Sequence, residues 1–283
     1  MTDVFISYSR KDKAFVQTLH DALIASHRET WIDWENIPKG TKWWQEIEAG
    51  IEGANTFVFV ISPDSVASSV CGDEINHAIK NGKRFLPIVR RDVPFSQFEE
   101  INSAHQELKA HNWLFFREED NFEQSFADLV KSLETDIDYV QQHTEILREA
   151  KKWEHNQRND SFLLQGEELA GAEKWLEEAE QRLKASESVL ETERKKDPNP
   201  LLTEQQRNFI RKSRENEDAN NRAEIVTQEL SAKSQELENV GKKRKEVEAK
   251  AKQAENKLVL VGKNLKLAQG KLTLAQQQQQ QAR

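Results

Sequence analysis

The chain has 283 residues, 36% hydrophobic and 32% charged, with a formal net charge of −8. That length holds one α/β domain plus further structure, and the acidic balance argues against nucleic acid as the main partner, because phosphate binding is driven by basic patches. A single cysteine, Cys71, excludes an internal disulfide and suits a reducing compartment. No run approaches the roughly 18 apolar residues of a membrane span and no signal peptide opens the chain, so a soluble, cytoplasmic protein is expected.

Val4 to Tyr8 reads as a first strand, and Lys11 to His27 as a helix with Phe15, Leu19, Ala22 and Leu23 on one stripe. Thr30 to Asp33 is a second strand, and its continuation, Trp34 to Thr41, contains Pro38 and Gly40 and reads as a loop. Lys42 to Glu52 is a helix with Trp44, Ile47 and Ile51 inward. Thr56 to Ile61 is a short apolar or β-branched run, the pattern of a strand buried on both faces. Ser62 and Pro63 stop it. Ser65 then falls in an irregular turn, and a helix runs from near Ser68 or Ser69 to Asn81 and Gly82, with a serine as N-cap. Arg84 to Arg90, Asn112 to Phe116 and a helix from Asn121 to about Glu134 complete a domain over residues 1–135. Strands alternating with helices call for a parallel sheet covered on both faces, with right-handed crossovers.

Residues 136–200 read as a helical connector anchored by Trp153 and Trp175 and interrupted at Gly166 and Gly171. Asp197-Pro198-Asn199-Pro200 breaks it, and Thr203 with Gln206 forms a capping box that opens a long helix over 201–283. From Ala223 to Ala275 a 4-3 alternation runs unbroken, with only Lys233 and Arg244 not apolar. A repeat sustained this long argues for a coiled coil about 80 Å long. The competing arrangement is a helix folded back on the connector. The basic run Lys242 to Lys245 reads as a solvated face, and Gln276 to Gln281 as a low-complexity tail.

On the helix after the third strand, Cys71, Glu74, Ile75 and Ala78 fall at i, i+3, i+4 and i+7. Cys71, Ile75 and Ala78 suit a sheet-facing stripe; Glu74 does not. A carboxylate there sits just past a buried strand's C-terminal end, where open α/β sheets place their ligands, and acids perturbed by burial cluster at functional sites. The bland alternative is that Glu74 answers the positive helix N-terminus or lies at the stripe's edge with its head in water.

Ser65, Ser68, Cys71 and Glu74 spell S-x-x-S-x-x-C-x-x-E, the chain opens with Asp3-Val4-Phe5-Ile6-Ser7-Tyr8-Ser9, and Trp31-Ile32-Asp33-Trp34-Glu35-Asn36-Ile37-Pro38-Lys39-Gly40 lies between. Together these resemble the TIR (Toll/interleukin-1 receptor) domain in its bacterial form, over roughly residues 1–135. The resemblance implies a flavodoxin-like five-strand parallel sheet. It also implies cleavage of the bond between nicotinamide and ribose in NAD+, with linear or cyclic ADP-ribose as product, in bacterial defence signalling. Glu74 matches the family's catalytic glutamate, and Ser68 and Cys71 are candidate substrate contacts beside it; a helix cap and a small buried apolar group are their bland readings.

Trp31 falls where related members stack an aromatic ring on the substrate, and a core role at a strand edge is the other reading. Ser9 and Arg10 follow the first strand, where the family's first loop meets the pocket; Arg10 either pairs with a phosphate or is a plain surface arginine. Trp34, Glu35, Asn36, Ile37, Pro38, Lys39 and Gly40 match the mobile loop that joins a neighbouring protomer in active assemblies. Many members carry tryptophan directly before the motif cysteine; Val70 stands there in this chain, so part of the nicotinamide wall differs.

No G-x-G-x-x-G occurs, so NAD+ is expected as a consumed substrate and no cofactor is expected. The histidines show no zinc spacing with Cys71, so no metal is expected, and His77, one turn beyond Glu74, reads as a surface histidine. The expected partners are NAD+ and further copies of the chain, joined through the coiled coil and TIR–TIR contacts, with no nucleic acid. The competing function is a non-catalytic scaffold that recruits partners through the same contacts. The glutamine-rich finish leaves open that the chain is the front end of a longer receptor.

Overall fold

The structure is a computed structural model and describes residues 2–32, 41–94, 108, 111–187 and 199–281. The expected loop Trp34–Gly40 lies outside them. Strand β1 (Val4–Ser7) leads through a 3₁₀ turn (Arg10–Asp12) into helix α1 (Lys13–Ala25). Then come β2 (Thr30–Ile32), α2 (Thr41–Gly53), β3 (Thr56–Ile61), a one-turn helix α3 (Pro63–Val66) and α4 (Ser69–Lys80). The sheet closes with β4 (Arg84–Val89) and β5 (Leu114–Phe115), followed by α5 (Phe122–Glu134). The order β2-β1-β3-β4-β5, parallel throughout, is the flavodoxin-like arrangement.

Period-two alternation divides the core between the two faces of the sheet. Phe5, Phe57, Phe59 and Ile61 pack with Ile47 and Ile51 of α2 and Cys71, Ile75 and Ala78 of α4. Val4, Ile6, Val58 and Val60 pack on the other side with Val16, Leu19 and Leu23 of α1 and Leu129 and Leu133 of α5. All six residues of β3 are buried, which is why that strand carries no polar alternation.

The α-helices that follow among the described residues are α6 (Ile137–His155), α7 (Gly166–Glu187) and α8 (Glu204–Gln281). Trp153 and Trp175 are buried with Tyr139, Ile146, Leu169, Phe209 and Ile210 in a core of their own. Gly166, at φ +56, opens α7, as a break should. Gly171 corrects the expectation of a second break: it lies inside α7, where the helix simply tolerates it. The capping box is present, with the Gln206 backbone N–H donating to Thr203 Oγ1 at 3.2 Å and the Thr203 N–H donating to Gln206 Oε1 at 2.9 Å. The chain divides into two compact units, Met1–Glu217 and Asp218–Arg283. The stretch read as a connector, with the first turns of α8, therefore shares a unit with the sheet.

Two buried basic side chains at the start of β4, Lys83 and Arg84, take part in that union. Lys83 Nζ donates to the carbonyls of Glu52 and Ala54 at 2.7 and 2.8 Å, and to Thr144 Oγ1 of α6 at 3.4 Å. Arg84 donates to the carbonyls of Leu133 and Thr135, and to Asn199 Oδ1. Each side chain thus donates to carbonyls at a helix C-terminus, of α2 and α5 respectively. Gly82, at φ +60, lets the Leu201 backbone approach closely enough for its N–H to donate to the Gly82 carbonyl at 2.8 Å. Among the described residues no helix is long and apolar enough to cross a membrane.

Candidate active site

The strand order reverses between β1 and β3, and sheets of this order bind their ligands outside the carboxyl ends of those strands. Helix α4 starts beside that edge. Ser62 stops β3 and caps α3, with Ser65 completing a reciprocal capping box, so Ser65 sits in a helical turn where an irregular one was expected. Ser68 then caps α4 and accepts from the Cys71 backbone N–H at 3.3 Å. This second start sets the phase of α4, turning Cys71, Glu74, Ile75 and Ala78 toward the sheet, all buried.

Glu74 is 5% exposed, and Ser7 Oγ donates to its Oε2 at 2.5 Å. The carboxylate lies in the packing beside the last residue of β1, so it is not at the stripe's edge with its head in water. Cys71 Sγ donates to the Tyr8 carbonyl at 3.5 Å. Burial, and then the neighbouring Glu74 charge, push the Cys71 thiol up to about 12, so this cysteine is a buried neutral group and no thiolate nucleophile. Ser7 was not singled out by the sequence. The signal was present, since alternation along β1 sends Ser7 to the same face as Phe5, and it is the polar residue of Val4–Ser7 at the strand's carboxyl end.

The remaining candidates divide. Ser9 follows β1 and caps the 3₁₀ turn, accepting from the Lys11 N–H at 3.4 Å, and Arg10 is exposed at that same sheet edge. Trp31 lies opposite Phe5 in the register, one side-chain step short of Ser7 on that face. Its ring stacks on Phe5 with centroids 4.6 Å apart, and Gly50 lets it sit so close to α2 that an added Cβ would meet the indole at 2.7 Å. Those contacts are those of the strand-edge core reading. Val70 is 37% exposed. His77 is half-buried: its imidazole pairs with Glu52 at 2.9 Å and faces Glu48 at 3.6 Å, both on α2.

Beside the site a network ties the loops after β1, β3 and β4 together. Ser62 Oγ donates to Asp12 Oδ2 at 2.6 Å, Arg91 Nε to Asp12 Oδ1 at 3.0 Å, and Arg91 Nη2 to Asp64 Oδ2 at 2.6 Å. Lys11 pairs with the other Asp64 oxygen. These hydrogen bonds from Lys11 and Arg91 hold the Asp64 carboxyl below the usual carboxylate range. Among the described residues no group of His, Cys, Asp and Glu is placed to hold a metal ion.

The profile of the TIR domain family matches residues 4–130. Among solved structures, the chain is similar to the TIR domain of the Toll-related receptor TRR-2 from Hydra magnipapillata, at 19% identity and a TM-score of 0.36, over 47% of this chain and 98% of that one. It is also similar to the TIR domains of the activated Roq1 resistosome directly recognizing the pathogen effector XopQ, at 22% identity and a TM-score of 0.32, over 52% of this chain and 81% of that one. No curated protein sequence matches. Residues 4–130 of this chain are therefore a TIR domain, and a helical region follows it.

Proposed function

We propose that the chain is an NAD+ glycohydrolase whose TIR domains become active when the C-terminal helix clusters them. The observation that carries this reading is the buried Glu74 carboxylate, held by Ser7 at the switch point of the sheet. When the bond between nicotinamide and C1′ of the ribose breaks, its electron pair leaves with nicotinamide, whose ring passes from cationic to neutral and needs little acid help. The ribosyl carbon becomes oxocarbenium-like, and a carboxylate in a dry site stabilises that charge far better than water does. A water then adds at C1′ and gives up its proton to give ADP-ribose, or an adenine nitrogen closes the ring to give the cyclic product. Ser68 and Cys71 would border the reacting sugar, and Ser9 and Arg10 the phosphates. Trp31 is carried as a stacking surface by resemblance alone, since Phe5 already occupies one of its faces. Trp34, Glu35, Asn36, Ile37, Pro38, Lys39 and Gly40 would make the contact between protomers.

Purified full-length protein incubated with NAD+ should release nicotinamide, and Glu74→Gln should lower the rate by about 10² or more while leaving the sedimentation profile unchanged. Parent-like turnover in that variant would remove Glu74 from the chemistry. A scaffold without catalysis is the second reading, and Val70 favours it because a valine offers no aromatic wall for nicotinamide. An assembled parent protein that releases no nicotinamide would establish that reading instead.

A further inference from the structure

Beyond Glu217 the helix α8 is open to solvent: from Asp218 to Gln276 every residue except Gly241 is exposed. Leu237 and Leu258 are 72% and 73% exposed, and Leu230, Val240, Val247, Val261, Leu265 and Leu272 are also bare. A row of large apolar side chains on a helix with no tertiary packing asks for a cover. Local propensity does not supply one, since most helical stability in proteins comes from packing an apolar face, and Gly241, Gly262 and Gly270 lie within this helix at a cost of roughly 1 kcal/mol each relative to alanine.

We propose that the cover is the same seam of further copies of this chain, lying parallel and in register. In the heptad, Ala223, Leu230, Leu237, Arg244, Ala251, Leu258, Leu265 and Leu272 take position a, and Val226, Lys233, Val240, Val247, Ala254, Val261, Ala268 and Ala275 take position d. In a parallel in-register assembly each g residue faces the e residue five further along the neighbouring copy. Lys243 then meets Glu248, and Lys250 meets Glu255. The pairs Arg222–Thr227, Glu229–Ser234, Glu236–Gly241, Lys257–Gly262 and Asn264–Gln269 set no like charges together.

An antiparallel assembly sets g against g. Its best charge match pairs Glu229 with Lys257 and Glu236 with Lys250, which forces Lys243 against itself and leaves Leu272 beyond the reach of the partner's seam. The polar seam residues add the register. Unshifted copies set Lys233 and Arg244 each against its own copy, which costs stability but confines the charge to two layers, whereas sliding by a heptad puts each cation against an apolar layer and disturbs twice as many. Arg244 Nε already donates to Glu248 at 3.1 Å, which draws its charge from the seam toward the rim.

The inference rests on the clustering in the proposed function and not on NAD+ chemistry, and its test runs without NAD+. Leu230→Cys, Leu258→Cys and Leu272→Cys are made singly in the full chain; Cys71, 2% exposed, stays in place, and the parent is the control. Under mild oxidation all three variants should form a disulfide between copies, because identical positions adjoin along the whole seam. Cross-linking at one position only would show antiparallel helices, and a single-copy mass in sedimentation with no cross-link would show no self-association; either overturns the proposal. Independently, Lys243→Glu with Lys250→Glu should raise the dissociation constant on the order of a hundredfold. Adding Glu248→Lys and Glu255→Lys should restore it, and failure of that rescue also sinks the parallel register. Loss of nicotinamide release in Glu74→Gln bears on the chemistry alone, so the two claims fail separately.

Discussion

Ser7 and Glu74 meet across 67 positions of sequence, and the meeting gives Glu74 one orientation out of several. A carboxylate in a packed site is useful only if its lone pair points at the carbon that develops charge, and misplacement by about 1 Å can cost 10²-fold. Ser7 is thus a positioning residue. Ser7→Ala removes this buried hydrogen bond from the Glu74 carboxylate and loosens its orientation. Under the glycohydrolase reading kcat should fall about tenfold or more while KM for NAD+ stays near that of the parent. Ser7→Thr, which keeps the hydroxyl, should recover most of the rate. A Ser7→Ala enzyme with unchanged kcat would show that Glu74 is oriented without Ser7. The i, i+3, i+4, i+7 stripe of Cys71, Glu74, Ile75 and Ala78 points to Glu74 from sequence, because a carboxylate on an apolar stripe is conspicuous. Ser7 was passed over, because a serine at a strand end is common and its partner lies on an element not yet formed.

At the scale of elements, the strand–helix order was legible because each signal was local: the six-residue apolar run of β3, the serine caps of α3 and α4, the Thr203–Gln206 box. Lys83 and Arg84 were not. In sequence they are two charges after an Asn-Gly turn; in the fold they are 4% and 1% exposed, because the carbonyls that receive them come from helix ends distant in the chain. The docking of α6 and the start of α8 on the sheet domain was invisible for the same reason. Lys83 gives this junction a pH dependence. Burial, with Lys151 nearby, brings its ammonium down from the ordinary lysine value to about 7. Between that value and the ordinary one the unfolded chain holds the proton and the folded chain does not, so stability rises with pH through the window. Urea unfolding of the first unit should therefore gain about 2 kcal/mol between pH 7 and pH 9. In Lys83→Met, which keeps the length of the side chain and removes the titration, the gain should vanish. An equal gain in parent and variant would place the titrating group elsewhere.

For the whole molecule, the coupling between tail and site depends on where the tail starts. The capping box at Thr203 suggests a cut before Glu204, but Phe209 and Ile210 are 0% and 1% exposed in the core that holds Trp153 and Trp175. Removing them would open a cavity worth about 3–5 kcal/mol for the phenylalanine alone and would confuse unfolding with loss of assembly. The cut that separates the two effects falls after Glu217, where the compact unit ends. Deletion of residues 218–283 should leave the thermal midpoint of the first unit unchanged. Linking sites through a common bundle raises their effective concentration into the millimolar range, so specific activity of the full chain should hold steady on dilution. In the truncated protein it should fall with dilution, because each encounter between TIR domains then depends on bulk concentration. The two proteins should converge as total protein is raised toward the millimolar range. Equal specific activity at every dilution would mean that a lone TIR domain is competent, and the tail would then serve some purpose other than bringing sites together.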